Sequence, residues 1–157
     1  MKKFYFFCFV IVLVFNASCS KKEIQKSEII EKSLELQVLE AYEEGMKSLE
    51  EGDVLFAAKK FNQAEILFPQ SEWAPKSSLM ASYSYYSQDY YSDAILELER
   101  FIKIYSKDKN IDYAYYLLAV CYYEQIVDET KDLQSITEAQ KYFNLVKSKY
   151  PNTEYAL

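Results

Sequence analysis

The chain has 157 residues, half of them hydrophobic and 27% charged, with two glycines and three prolines. That is room for about one domain and too little turn punctuation for an all-β fold, so helices are expected. Its 18 basic and 24 acidic residues give a net charge of −6, with Arg100 the sole arginine; such a chain is a poor counterion for phosphate, which excludes nucleic acid as a partner.

The first residues read as an export signal. Lys2 and Lys3 precede twelve apolar residues, Phe4–Phe15, and then Asn16, Ala17, Ser18 and Cys19. Such a run is short for a membrane span and typical of a secretory signal. A cysteine directly after small residues resembles a bacterial lipobox, so residues 1–18 are read as a signal peptide and Cys19 as the residue that receives the lipid. Asn16 stands where a lipobox normally has an aliphatic residue; a signal with an incidental cysteine is the alternative. Ser20, rather than Asp, follows Cys19, which in the sorting rule this resemblance brings favours the outer membrane. Processing there would leave 16 basic against 24 acidic side chains, a balance of −8. Cys8 would leave with the signal and Cys19 would be acylated, so Cys121 could form no intramolecular disulfide. Among Ala119, Val120 and Tyr122, Cys121 reads as a small core residue. Residues 19–33, charged and free of glycine and proline, read as a lipidated tether, or at their end as an extension of the first helix.

Six helices are predicted after the tether. The first spans about 34–51, stopped by Gly52, and Asp53 caps a second that carries Ala57, Phe61, Ala64 and Phe68 and ends at Pro69. After a connection containing Trp73, a third covers about 75–87 and a fourth about 91–105. A fifth covers about 112–126 and a sixth about 135–149, with Ser135 as N-cap and Glu138 completing a capping box. These helices repeat in pairs. Gly45, Ser82 and Ala119 stand 37 residues apart. Ala57, Phe61, Ala64 and Pro69 recur as Ala94, Leu98 and Phe101, and then as Ala139, Phe143, Val146 and Pro151, the third set displaced by an eight-residue insertion near VDETKDLQ. A small residue on one helix, A-x-x-x-F on the next and proline after it is the tetratricopeptide (TPR) pattern. The expected fold is therefore all-α, a TPR-like solenoid of about three helix pairs over 34–157, with repeats at about 34–69, 73–106 and 111–151.

No catalytic residue is found. Histidine is absent, which removes the commonest general base and metal ligand. Cysteine occurs three times without clustering, and two glycines build no phosphate loop; no metal and no dissociable cofactor are expected. Acidic pairs such as Glu97 with Glu99, or Asp128 with Glu129, read as solvated helix faces. Tyrosine, present 16 times, is more informative. In a TPR array the first helix of each pair lines the inner surface, and the register assigns to it Tyr42, Met46, Leu49, Leu79, Tyr83, Tyr86, Tyr113, Tyr116 and Tyr123. Tyrosine offers apolar contact with a polar tip, which suits a groove for an extended peptide; the same spacing also suits rings packed between helices. Tyr83 and Tyr86 are the strongest groove candidates.

The run FPQSEWA, then SYSYYSQDYYSDAILELERFIKIYSKDKNIDYAYYLLAVCYYEQIVD and KYFNLVKSKYPNTEYA, behind a lipoprotein-like signal, resembles the BamD (ComL) family, TPR lipoproteins of the outer-membrane β-barrel assembly machine. Its most specific pieces are Glu99–Ile102, Asn110–Leu117 and Tyr150–Ala156. The resemblance implies a non-enzymatic, lipid-anchored protein on the periplasmic face of the outer membrane. Its partners would be C-terminal segments of unfolded outer-membrane proteins, a BamA-like barrel protein and the other lipoproteins of the complex. Family members continue for further repeats, so this chain is expected to hold the substrate-binding half. The rival readings are another TPR lipoprotein, such as a pilotin for secretin or pilus assembly, and an accessory subunit of a cell-wall enzyme.

Overall fold

The computed structural model describes residues 33–128 and 132–156, all within one compact unit, Lys32–Leu157. The expected signal peptide, Cys19 and all of the tether but Ser33 lie outside the described residues. Six α-helices follow in order among those described: α1 (Leu34–Glu50), α2 (Val54–Leu67), α3 (Trp73–Tyr86), α4 (Tyr91–Ile104), α5 (Ile111–Glu124) and α6 (Leu133–Lys149), then a 3-10 turn, Glu154–Ala156. No strand occurs among these residues, and the fold is the TPR-like helical repeat. Each helix packs on its neighbours in sequence, and α1 also touches α3.

Local chemistry sets the helix ends. The Ser33 hydroxyl accepts from the Leu36 amide (3.2 Å) and starts α1. At its other end Gly52 takes φ 84°, a left-handed conformation open to glycine. That conformation lets the Gly52 and Asp53 amides donate back to the Leu49 and Ser48 carbonyls (3.1 and 2.9 Å), the two bonds of a Schellman cap. Asp53 then accepts from Phe56 N (3.1 Å) and opens α2. Asp89, with φ 63°, closes α3 in the same way. There the Asp89 and Tyr90 amides donate to the Tyr86 and Tyr85 carbonyls, both at 3.1 Å.

Three expected boundaries are corrected. Helix α3 begins at Trp73, so Pro75 lies in its first turn, where an amide would have no partner inside the helix in any case. Helix α5 ends at Glu124, not at Ile126. Helix α6 begins at Leu133, so Ser135 is an interior residue and no capping box forms. The residue ahead of α6 is Asp132, whose carboxylate instead accepts from the Val127 and Asp128 amides (both 2.9 Å). Glu138 is paired with Lys141 at 2.7 Å.

The repeat has a physical cause in the core. Gly45 faces the ring of Phe61, and a Cβ built there would lie 2.8 Å from it. The small residue is what lets two backbones close over the aromatic. Ser82 and Ala119, at the equivalent positions, are also fully buried. The turns between pairs repeat as well. The Ser71 and Ala74 amides donate to the Phe68 and Ser71 carbonyls (3.0 and 3.2 Å); Asp108 and Ile111 donate to Tyr105 and Asp108 (2.9 and 3.2 Å), and Thr153 and Ala156 to Tyr150 and Thr153 (3.2 and 3.1 Å). The turn after α6 is thus built like the turns that lead into α3 and α5, and it carries Tyr155 where the first carries Trp73.

Two apolar clusters fill the interior. One gathers Val38, Ala41, Tyr42, Ala57, Phe61 and Ala81; the other gathers Leu98, Phe101, Ile111, Leu117, Leu118 and Cys121. Between them α3 buries four serines, Ser77, Ser78, Ser82 and Ser84. A polar clasp spans this serine-rich helix, tying α4 to α2. The Arg100 guanidinium donates to both carboxylate oxygens of Glu65 (2.8 and 2.7 Å), to Glu97 (2.9 Å) and to Ser78 Oγ (3.0 Å).

Candidate peptide-binding cleft

Helices α3 and α5 are the first helices of the second and third pairs, and each buries its small residue, Ser82 and Ala119. Between their exposed faces lies a cleft of about 520 Å³, lined by Leu79, Met80 and Tyr83 of α3, Asp112 and Tyr113 of α5, and Tyr155, with Lys76, Lys109, Asn110 and Glu154 completing it. Tyr83 is 37% exposed and its ring is 6.2 Å from Tyr86, which in turn lies 6.1 Å from Tyr91. Tyr113 meets Tyr155 at 5.2 Å.

Electrostatically the cleft is balanced. Two ammonium groups, Lys76 and Lys109, face two carboxylates, Asp112 and Glu154. Burial first, and then the neighbouring Tyr83 and Tyr155 hydroxyls, raise the Tyr113 pKa well above the ordinary phenol value. Tyr86 is raised too, chiefly by burial. Both phenols therefore stay neutral across the physiological range and offer hydroxyls that donate and accept. An apolar lining with a few polar groups of both signs is what a ligand site of this size commonly shows.

Of the other sequence-expected groove residues, Leu79 is part of the lining, Tyr86 touches the Tyr83 ring but does not line the cleft, and the rest are placed elsewhere. Tyr42 is buried between helices, edge-on to Phe61 (5.2 Å) and Trp73 (5.1 Å), with the Lys76 ammonium 4.8 Å from its ring centroid. Met46 and Leu49 are half-buried against the same cluster. Leu79 is 8% exposed, a core residue that reaches the cleft floor. Tyr116 is stacked on Tyr155 (5.3 Å) and edge-on to Phe143 (6.2 Å). Tyr123 is 59% exposed and belongs to a separate hollow of about 910 Å³ with Ile126, Val127, Ile136 and Phe143. Tyr155 and Lys76 were not read from the sequence as site residues; the signal available for Tyr155 was the match of YPNTEYA to FPQSEWA.

Groups that could carry other chemistry are engaged structurally. Cys121 is buried, and burial pushes its thiol up to about 12, which keeps it protonated and inert. Glu97 is bound to Arg100 at 2.8 Å, and Glu99 accepts from the Tyr122 hydroxyl at 3.0 Å. Among the described residues no group of His, Cys, Asp or Glu could hold a metal ion, and no helix is long and apolar enough to cross a membrane.

Comparison with known proteins decides the family. The family model YfiO, described as outer membrane lipoprotein, matches residues 35–157. The chain belongs to the YfiO (BamD) family. It is similar to the outer membrane protein assembly factor BamD of Caulobacter vibrioides, with 35% identity over 94% of this chain and 47% of that protein. The BamD of Rickettsia prowazekii is 32% identical over 94% of this chain and 56% of its own length; that of Neisseria meningitidis serogroup A is 26% identical over 92% and 57%. The chain thus spans about half the length of these BamD relatives, and the matched half includes every helix that builds the cleft.

Proposed function

We propose that this chain is a non-catalytic component of the outer-membrane β-barrel assembly machinery, whose α3–α5 cleft binds extended segments of unfolded outer-membrane proteins. The observation that carries the reading is the cleft itself, a pocket of tyrosine rings with balanced polar groups, in a chain whose relatives are named as outer membrane protein assembly factors. Aromatic burial supplies affinity, and the mixed polar rim hydrogen-bonds the main chain of the guest. The partners in this reading are C-terminal segments of outer-membrane proteins, a BamA-like barrel protein and the other lipoproteins of the complex.

The test is fluorescence anisotropy with a labelled peptide from the end of a β-barrel protein. The double variant Tyr83→Ala with Tyr86→Ala is expected to weaken binding about tenfold, since it removes the Tyr83 ring from the lining and the Tyr86 ring packed against it, aromatic contacts that contribute about 0.5–1.5 kcal/mol each beyond their area, while helicity is retained. Equal binding by the double variant would refute the cleft.

In the same reading Cys19 carries the lipid that holds the protein to the periplasmic face of the outer membrane. Cys19→Ala is expected to abolish incorporation of radiolabelled palmitate and to release the protein from the membrane fraction. Continued labelling would rule out this attachment site.

A further inference from the structure

The turns between helix pairs share one edge of the array. A hollow of about 700 Å³ at that edge is lined by Glu72, Trp73 and Lys76 from the first of these turns and the start of α3, and by Lys107, Asp108 and Lys109 from the second. Lys76 and Lys109 also meet Glu154 of the third turn in the cleft. Helices joined by short turns alternate in direction, so Ser33, at the start of α1, lies at this same edge. The turns within pairs lie at the other, where Gln125 Nε2 donates to Ser92 Oγ (3.0 Å).

Charge is divided between the two edges. The hollow carries three ammonium groups, Lys76, Lys107 and Lys109, against two carboxylates. Of these Asp108 accepts from the Asn110 amide (2.8 Å), which directs one oxygen into its own turn. Lys103 in the last turn of α4, and Lys147 and Lys149 in that of α6, add to the same edge; Asp112 and Glu154 belong to the cleft beside it, and Glu35 to the first turn of α1. The turns within pairs hold Asp53, Asp89, Asp128 and Asp132. Helices of 14 residues separate the edges by about 21 Å. That is more than twice the screening length of about 8 Å at physiological salt, so those aspartates weigh little at the hollow.

We propose that this edge lies against the membrane and that the hollow takes the phosphate of an anionic phospholipid headgroup. This rests on the reading that Cys19 carries a lipid. The chain that leads to Cys19 leaves the domain at Ser33, so the anchor is tied to the edge that bears the lysines. Ammonium groups serve a phosphate as point charges, and three of them converge on the hollow. Trp73, with the Lys76 ammonium 4.6 Å from its ring centroid, joins an apolar body to a polar N–H, the combination that favours the headgroup level of a bilayer. The aspartates of the opposite edge are repelled by the same surface, so the division of charge also sets which way the array stands.

Trp73 is the sole tryptophan, so its own fluorescence reports the docking. The lipid-modified chain is bound to vesicles of phosphatidylcholine, with or without phosphatidylglycerol, that contain a headgroup spin-labelled lipid able to quench tryptophan at contact. Both kinds of vesicle are expected to hold the protein, with Trp73 quenched on the anionic ones alone. About 1 M NaCl, where the screening length falls to about 3 Å, should relieve the quenching without releasing the protein. Lys107→Gln with Lys109→Gln, both exposed side chains, is expected to lower the ratio of docked to undocked protein about thirtyfold, since each lysine at an anionic surface contributes about fivefold. Lys47→Gln, in the last turn of α1 at the other edge, should leave the quenching unchanged. Equal quenching on neutral vesicles, or quenching that survives the double variant, overturns the proposal. So does an unquenched Trp73 on anionic vesicles that hold the protein, the outcome expected if the hollow serves an acidic protein partner. A chain that binds neither kind of vesicle overturns the lipid-anchor reading and this proposal with it, and is thereby distinguishable.

Discussion

Phe61→Ala is expected to lower the unfolding free energy by about 3–5 kcal/mol, the range for truncating a fully buried aromatic. The ring is 0% exposed and fills the space that Gly45 leaves between α1 and α2. It also carries the edge-on contact of Tyr42. With glycine on one side and Ala57 and Ala64, already small, among its cluster, the site has few side chains able to swing into the cavity. Urea denaturation followed by helix ellipticity measures the loss. Phe143→Ala supplies the internal comparison: it occupies the same repeat position but is half-buried, so its truncation is expected to cost clearly less. Equal costs would show that burial at the repeat position is not what the aromatic provides.

The second large effect is at Arg100. Its guanidinium grips Glu65 with a two-pronged pair of bonds, and the Glu65 side chain is only 8% exposed. Tyr105 also donates its hydroxyl to Glu65, at 2.7 Å; burial, followed by that bond, raises its pKa. Removing the arginine leaves a buried carboxylate with a neutral partner. Breaking a fully buried pair costs about 3–5 kcal/mol. Because the Arg100 side chain is 36% exposed, solvent screening reduces the expectation for Arg100→Leu to about 2–3 kcal/mol. Arg100→Lys keeps the charge but not the planar fork and should recover only part of this. Adding Glu65→Leu to Arg100→Leu should recover most of it, since the uncompensated charge is gone. If the double variant is as unstable as the single one, the clasp matters through packing and not through charge.

The periodicity of small and aromatic residues made the helix pairs legible: Gly45 answers to the close approach of Phe61, and Ser82 and Ala119 are fully buried at the equivalent positions. Side-chain roles that depend on distant partners were less legible. Arg100 and Glu65 are 35 residues apart on different helices, and nothing local in the sequence pairs them. Tyr42 shares a helical stripe with Met46 and Leu49, but its ring lies against Phe61 and Trp73, because a stripe at spacings of three and four covers both the packed flank of a helix and its open one. Ser135 matches a capping box in spacing, yet two further residues join α6 ahead of it. Of the cleft, the register assigns Leu79, Tyr83 and Tyr113 to the inner surface, whereas Tyr155 joins it through a turn whose backbone bonds repeat those of the FPQSEWA turn.

The most direct measurement places a photoreactive benzophenone side chain at the aromatic position of the barrel-derived peptide and maps the crosslinks on the chain by mass spectrometry. The account predicts attachment to Met80 and Tyr83 on α3, to Tyr113 on α5 and to Tyr155. Crosslinks concentrated instead on α2 and α4, or around Tyr123 and Val127, would contradict it.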